Sequence, residues 1–290
     1  MGSGWLLAVG AVLVIGAYAM GIRALKARAK TPETLPQATF SDTELNRYAR
    51  HIVLREIGGP GQKALKDAKV LVVGAGGLGA PALLYLAASG VGTIGVIDDD
   101  VVDNSNLQRQ VIHRDADIGK PKVFSAEAAM KAQNPAINVR PYARRLEEQT
   151  ARTLFAEYDV ILEGSDNFET KYMVNRAAAA AGKPVVGGAL SQWEGQISVW
   201  DPAHGGPCYQ CVFPEAPAPG LAPSCSQAGV LGPLPGVIGT MMAVETIKEI
   251  TGAGDGLKGR LMIYDALFAE TRVIRVKPRR ECPVCGVPRA

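Results

Sequence analysis

Apolar residues are spread along the chain in two ways: one long uncharged run at the start, then short runs separated by glycine turns and amphipathic stretches. Residues 5–22 (WLLAVGAVLVIGAYAMGI) carry no charge. As a helix they span roughly 27 Å, just short of a hydrocarbon core of about 30 Å. Trp5 and Tyr18 are suited to its interfaces, and Arg23, Lys26, Arg28 and Lys30 follow at once. A cleaved leader needs a basic stretch ahead of its apolar one, and Met-Gly-Ser-Gly offers none. The pattern therefore predicts an uncleaved single-span anchor over residues 1–30. Its basic flank places the rest of the chain on the cytoplasmic face of a membrane, as in a bacterial inner membrane. A polar, proline-containing linker over 31–40 leads to the body of the protein, 41–290.

The body starts with a helix signal, Ser41 as cap and Glu44 at the capping-box position. That helix carries Tyr48, Arg50 and His51 and is expected to end near Gly58-Gly59-Pro60, with a second short helix after it. The unrelieved apolar run Val70-Leu71-Val72-Val73 reads as a buried parallel strand. It enters Gly74-Ala75-Gly76-Gly77-Leu78-Gly79 and a helix through Ala88, and a second strand over 93–97 ends on Asp98-Asp99-Asp100. This is a β-turn-α-β unit of the doubly wound kind. Further strands are expected at 137–141, 160–162 and 185–186, with helices around 121–133, 147–157 and 168–181. Then the character changes: 196–200 and 260–264 read as strands, 273–276 as an antiparallel partner, and 236–251 as a closing helix. The fold class predicted is α/β, a Rossmann-like, mostly parallel sheet extended by antiparallel strands, preceded by a transmembrane helix. The proline- and alanine-rich stretch 214–223 reads as an irregular crossing loop, long enough to drape Cys225 over a site elsewhere.

With 290 residues and 47% hydrophobic content, the chain can bury a large core as one domain or two small ones. The net charge of +3 comes from the N-terminus: residues 1–30 hold four bases and no acid, and the remainder carries 27 bases against 28 acids. That body has no basic footprint, which excludes nucleic acid as a partner.

Gly74, Gly76 and Gly79 form a G-x-G-x-x-G loop whose backbone can approach a phosphate at a helix start, and Asp98 is placed to take ribose hydroxyls. Alone, this suits an NAD-dependent oxidoreductase, but no substrate acid or base for hydride chemistry is evident. Arg109 and Lys122 lie close by in sequence, and cations near the phosphates fit chemistry at a nucleotide α-phosphate. As solvated surface cations they would be unremarkable singly. Asp166 stands in Gly164-Ser165-Asp166-Asn167, which is also ordinary turn chemistry. Cys208/Cys211 and Cys282/Cys285 are two C-x-x-C pairs in a chain with five cysteines. Thiolates at i and i+3 converge on one ion, and four leave no open position, so a structural Zn²⁺ is expected. Reduced thiols in the cytoplasm favour this over disulfides. The fifth, Cys225, is flanked by Ser224 and Ser226. His51, His113 and His204 are scattered and carry no assignment.

The runs RYARHIVLREIGGPGQ, GAGGLG, SNLQRQ, SDN, EGQISVW, GVLGPLPGVIG and the C-x-x-C pairs, in this order over about residues 41–286, resemble the ubiquitin-activating-enzyme-like adenylyltransferases. The molybdopterin-synthase type and its thiamine-pathway and tRNA-thiolation relatives are the most similar in motif. The resemblance implies Mg²⁺- and ATP-dependent activation of the C-terminal glycine carboxylate of a ubiquitin-like sulfur carrier ending in Gly-Gly, by a homodimer. It matches Gly77 to a loop glycine against the nucleotide, Asp98 to the ribose-binding acid, and Ser105, Asn106, Leu107, Gln108 and Arg109 to the segment along the phosphates. It matches Lys122 to a phosphate-binding lysine, Asp166 and Asn167 to the magnesium-associated pair, and Arg50 to an arginine supplied across the dimer. A cysteine at the place of Cys225 handles sulfur in some relatives and is a bystander in others. The chain stops soon after Cys285, so any sulfur is expected from a separate sulfurtransferase. A tRNA-modifying relative and a non-catalytic binding module are weaker readings, the latter because Asp98, Arg109, Lys122 and Asp166 are all of the required type.

Overall fold

The apolar runs become the strands of one eight-stranded sheet, in the spatial order β3-β2-β1-β4-β5-β6-β7-β8. The structure is a computed structural model, and it describes residues 10, 13, 15–24, 39–218 and 225–286, without the side chains of Cys225 and Ser226. Strands β1 (Lys69–Val73), β2 (Thr93–Asp98), β3 (Asn138–Ala143), β4 (Val160–Glu163) and β5 (Val185–Leu190) pair in parallel. Strands β6 (Glu194–Trp200), β7 (Arg260–Asp265) and β8 (Glu270–Arg275) continue the sheet antiparallel. The 3-2-1-4-5 order is the doubly wound arrangement, and its direction reverses between β1 and β4.

The strand period of two assigns successive residues to opposite faces. Val70 and Val72 belong to one buried layer, with α3 (Gly79–Ser89), α4 (Lys122–Gln133) and α9 (Pro233–Thr251). Leu71 and Val73 belong to the other, with α5 (Glu148–Ala156) and α6 (Phe168–Ala181). Both faces of β1 are covered, which is why its sequence shows no alternation. The remaining helices are α1 (Asp42–Ile52), α2 (Gly58–Asp67), α7 (Tyr209–Val212) and α8 (Cys225–Ala228).

Two expectations are corrected. The first helix ends at Ile52 and not near Gly58: Gly58, at φ +59°, turns the chain and opens α2. The membrane anchor is not found. Among the described residues no helix is long and apolar enough to cross a membrane. Residues 5–9, 11, 12 and 14 of the expected span lie outside the described residues. The expected placement on a cytoplasmic membrane face falls with the anchor. The chain divides between Thr43 and Glu44 into a small N-terminal unit and the large α/β unit that carries the sheet.

Candidate active site

Loops leaving the carboxyl ends of β1, β2 and β4 meet at the reversal of strand order, and there they line a cavity of about 790 Å³. The glycine loop forms its floor. Gly74 sits at φ +93°, where side chains are strained, and a Cβ on Gly79 would collide with the carbonyl of Gly74. Glycine at both points lets β1 turn at once into α3. Gly76 and Gly77 complete the bare backbone surface, with Gly77 close to Pro235 and Arg109.

Asp98 ends β2 beside the loop. Its Oδ2 accepts the N–H of Ala75 at 2.7 Å and its Oδ1 the N–H of Asp100 at 2.8 Å. Burial pushes its carboxyl above the ordinary range, against the opposing pull of Lys122 and of those two N–H donors. Lys122 opens α4, is 5% exposed, and donates to Asp100 Oδ2 at 2.7 Å. Arg109 donates to Asn106 Oδ1 at 3.0 Å and to the Ser105 carbonyl at 3.3 Å, which holds its guanidinium over the cavity wall. Asp166 and Asn167 line the same cavity after β4. Arg109, Lys122, Arg144, Arg145 and Lys171 face it alongside Asp98, Asp99, Asp100 and Asp166, a lining suited to an anionic ligand with a cation.

The expected residues are not all gathered there. Of the segment 105–109, only Asn106 and Arg109 line the cavity. Ser105 donates through both its N–H and its hydroxyl to Asp103, the residue that caps this short helical turn. Leu107 is absent from the lining, and Gln108 packs against Gly232 at the start of α9. Asn167 lines the cavity, but its Oδ1 also caps α6 by accepting from Thr170. Arg50 is exposed on α1 and is not part of the lining. Cys225 heads α8; its side chain and residues 219–224 of the crossing loop lie outside the described residues, while Gln227 and Val230 just beyond it line the cavity.

Several site residues were not legible as such. Glu163 and Lys171 form a buried ion pair at 2.5 Å, with side chains 5% and 7% exposed. Lys171 also donates to the Gly188 carbonyl at 2.7 Å, and Glu163 accepts from the N–H and hydroxyl of Ser165, which fixes the turn bearing Asp166. An acid at the end of the apolar strand Val160-Ile161-Leu162 was the available signal, because a buried charge needs a partner. Gln110 lines the cavity too, and its buried Oε1 has no hydrogen-bond partner among the described residues. An orphan acceptor beside a bare glycine loop fits a cavity built around a polar ligand such as a nucleotide. His113, 7% exposed, reaches the Ala75 carbonyl from behind the loop, and burial lowers its pKa.

The two C-x-x-C pairs converge as expected. Sγ–Sγ distances are 3.9 Å for Cys208–Cys211, 3.4 Å for Cys208–Cys282 and 3.3 Å for Cys211–Cys285. Four sulfurs at about 2.3 Å from one tetrahedral ion would be about 3.8 Å apart, so the cluster fits such an ion. Its surroundings suit thiolates: the Arg279 N–H points at Cys211 Sγ at 3.3 Å, and Asn175 Nδ2 at Cys208 Sγ at 3.7 Å. Asn175 also accepts the Tyr209 N–H at 2.8 Å, tying the cluster to α6.

Residues 48–284 match the ThiF family. The chain is 51% identical over 255 residues to the probable adenylyltransferase/sulfurtransferase MoeZ of Mycobacterium tuberculosis, covering 87% of this chain and 65% of that protein. It thus spans just under two thirds of MoeZ. It is 48% identical over 251 residues to the sulfur carrier protein adenylyltransferase of Thermus thermophilus, covering 85% of this chain and 93% of that one. The crystal structure of E. coli MccB with ATP superposes with a TM-score of 0.73 at 25% identity, over 87% of this chain and 77% of MccB. A doubly wound sheet with this glycine loop and acid-and-cation cavity, matched over most of its length to such relatives, belongs to the ThiF family.

Proposed function

We propose that the protein is an ATP-dependent adenylyltransferase that activates the C-terminal glycine carboxylate of a ubiquitin-like sulfur carrier. The observation that carries this reading is the single cavity joining the glycine loop, Asp98, Arg109, Lys122 and Asp166. Asp98 takes the ribose hydroxyls, and the N–H groups of the glycine loop face the phosphates. A carrier carboxylate oxygen attacks the α-phosphorus, the bond from that phosphorus to the bridging oxygen breaks, and pyrophosphate leaves with the electron pair. Arg109 and Lys122 offset the negative charge that gathers as two anions meet. Asp166 would hold a Mg²⁺ ion; one carboxylate suffices where phosphates and water fill the other positions, and the ion adds Lewis-acid stabilisation of the phosphoryl oxygens.

The four cysteines would hold a structural Zn²⁺, tying the root of the crossing loop to the C-terminal segment. Gln227 at the cavity supports a second step, in which Cys225 takes part in sulfur transfer to the activated carrier. Molybdenum-cofactor, thiamine and tRNA-thiolation carriers all suit the same chemistry, with molybdopterin-synthase small-subunit carriers the preferred substrate. A homodimer in which Arg50 reaches the partner's cavity would account for its exposed position on α1.

The test is ATP–pyrophosphate exchange with candidate carriers ending in Gly-Gly. Carrier-dependent exchange, reduced about 10²–10³-fold in Asp166→Ala, is the expected result. Absence of exchange with every carrier, together with tight NAD binding, would overturn the assignment.

A further inference from the structure

Behind the glycine loop, hydrogen bonds from His113, which the adenylyl-transfer reading leaves unused, run on to Asp98 and Lys122, which it uses. His113 Nε2 lies 2.9 Å from the Ala75 carbonyl. A carbonyl only accepts, so Nε2 carries the proton. The other ring nitrogen, an acceptor in the neutral ring, lies 3.0 Å from Ser125 Oγ, whose single hydroxyl proton is shared between it and Asp117 Oδ2 at 2.8 Å. Ala75 is held at its other polar group as well, its N–H donating to Asp98 Oδ2 at 2.7 Å. Asp98 continues through the Asp100 N–H, and Asp100 through Lys122 at 2.7 Å. The series begins and ends on the first turn of α4, at Ser125 and Lys122.

A histidine that only filled space here could be an apolar residue. Instead its one obligate donor is committed to the loop residue that orients Asp98. We propose that His113 is a positioning residue for the nucleotide: its Nε2–H fixes the Ala75 carbonyl, so that the Ala75 N–H holds the Asp98 carboxylate where the ribose hydroxyls arrive. This rests on the reading that Asp98 takes the ribose.

The experiment compares binding of ATP and 2′,3′-dideoxy-ATP by titration calorimetry in the full chain and in Asp98→Asn, His113→Phe and His113→Gln. The native protein should prefer ATP by about tenfold or more, the worth of hydrogen bonds to a charged group. Asp98→Asn should remove most of that preference. His113→Phe should reduce it about 5-fold and change dideoxy-ATP affinity less than about twofold, whereas a general packing defect weakens both ligands together. His113→Gln places an amide N–H near the former Nε2 and should restore the preference. Should His113→Phe not fold, His113→Asn, whose shorter amide does not reach Ala75, takes its place. Parallel weakening of both nucleotides in His113→Phe, or no change in either, overturns the inference while a collapse in Asp98→Asn leaves the ribose reading standing. An unchanged preference in Asp98→Asn overturns both.

Discussion

The glycine-loop end of the sheet and the four-cysteine corner are both candidate binding places, yet they are assembled in opposite ways. At the loop, backbone groups do the shaping: Gly74 and Gly79 allow the turn, and Asp98 is fixed by two N–H donors within a single βαβ unit. At the corner, pairs 74 residues apart in sequence bring sulfur to sulfur at 3.3–3.4 Å, held from outside by Asn175 and by the N–H of Arg279. The first is a property of the packed sheet and should persist without ligand. The second gathers four groups that repel one another once ionised, so a metal ion bound between them would add to its stability.

Breaking the corner should therefore produce the larger effect, and a local one. Cys282→Ser is expected to abolish one equivalent of bound zinc, on the order of 10 kcal/mol of metal-binding free energy, and to lower the melting temperature. ATP affinity should change less than about twofold; a parallel loss of ATP binding would show that the two regions are coupled.

Next in size is the buried ion pair under the Asp166 turn. Lys171→Met leaves the Glu163 carboxylate buried without its cation and should cost about 3–5 kcal/mol in chemical denaturation. Adding Glu163→Gln should recover part of that loss. Gly79→Ala should cost about 1–3 kcal/mol because the new methyl meets the Gly74 carbonyl, and it should cost ATP affinity too.

The smallest effect sharpens the comparison through pH. Burial raises the pKa of Asp98 in the folded protein, so the folded state binds that proton more tightly than the unfolded chain does. Stability from this group therefore rises as pH falls through the raised value. The carboxylate is the form that accepts ribose hydroxyls, so ATP affinity should fall over the same acid range. Opposite slopes in thermal melts and in ATP titrations, both flattened in Asp98→Asn, are the expected outcome.

Much of the sheet was legible because buried strands and their glycine turns are local patterns: β1, β2 and α6 stand within a residue of their expected positions. The convergence of the C-x-x-C pairs was legible from spacing and ligand chemistry. The first helix was drawn too long because an amphipathic stretch does not mark its own end, and a φ of +59° at Gly58 restarts the chain as α2. The N-terminal run looked long enough to cross a membrane on hydropathy alone, yet among the described residues no helix is long and apolar enough to do so. Ser105 and Gln108 sit in a motif beside the phosphates in sequence, yet one donates to Asp103, the cap of a short turn, and the other packs on Gly232 at the start of α9.

What the sequence determined by itself is the set of chemical parts: bare glycines before a helix, an acid at a strand end, two cations and four thiols. Spacing limits which conformations and ligands those parts allow. Tertiary structure decided which of them face one another. Strand order sets the segment after β2 beside the loop after β1, which brings His113 against Ala75, and the turn from β4 into α6 folds Lys171 back onto Glu163 under Asp166. Those partners lie 8 and 38 residues apart in the chain, and no local rule of helix or strand connects them. They meet because right-handed crossovers lay helices over both faces of the parallel sheet and gather the loops at the carboxyl ends of its strands.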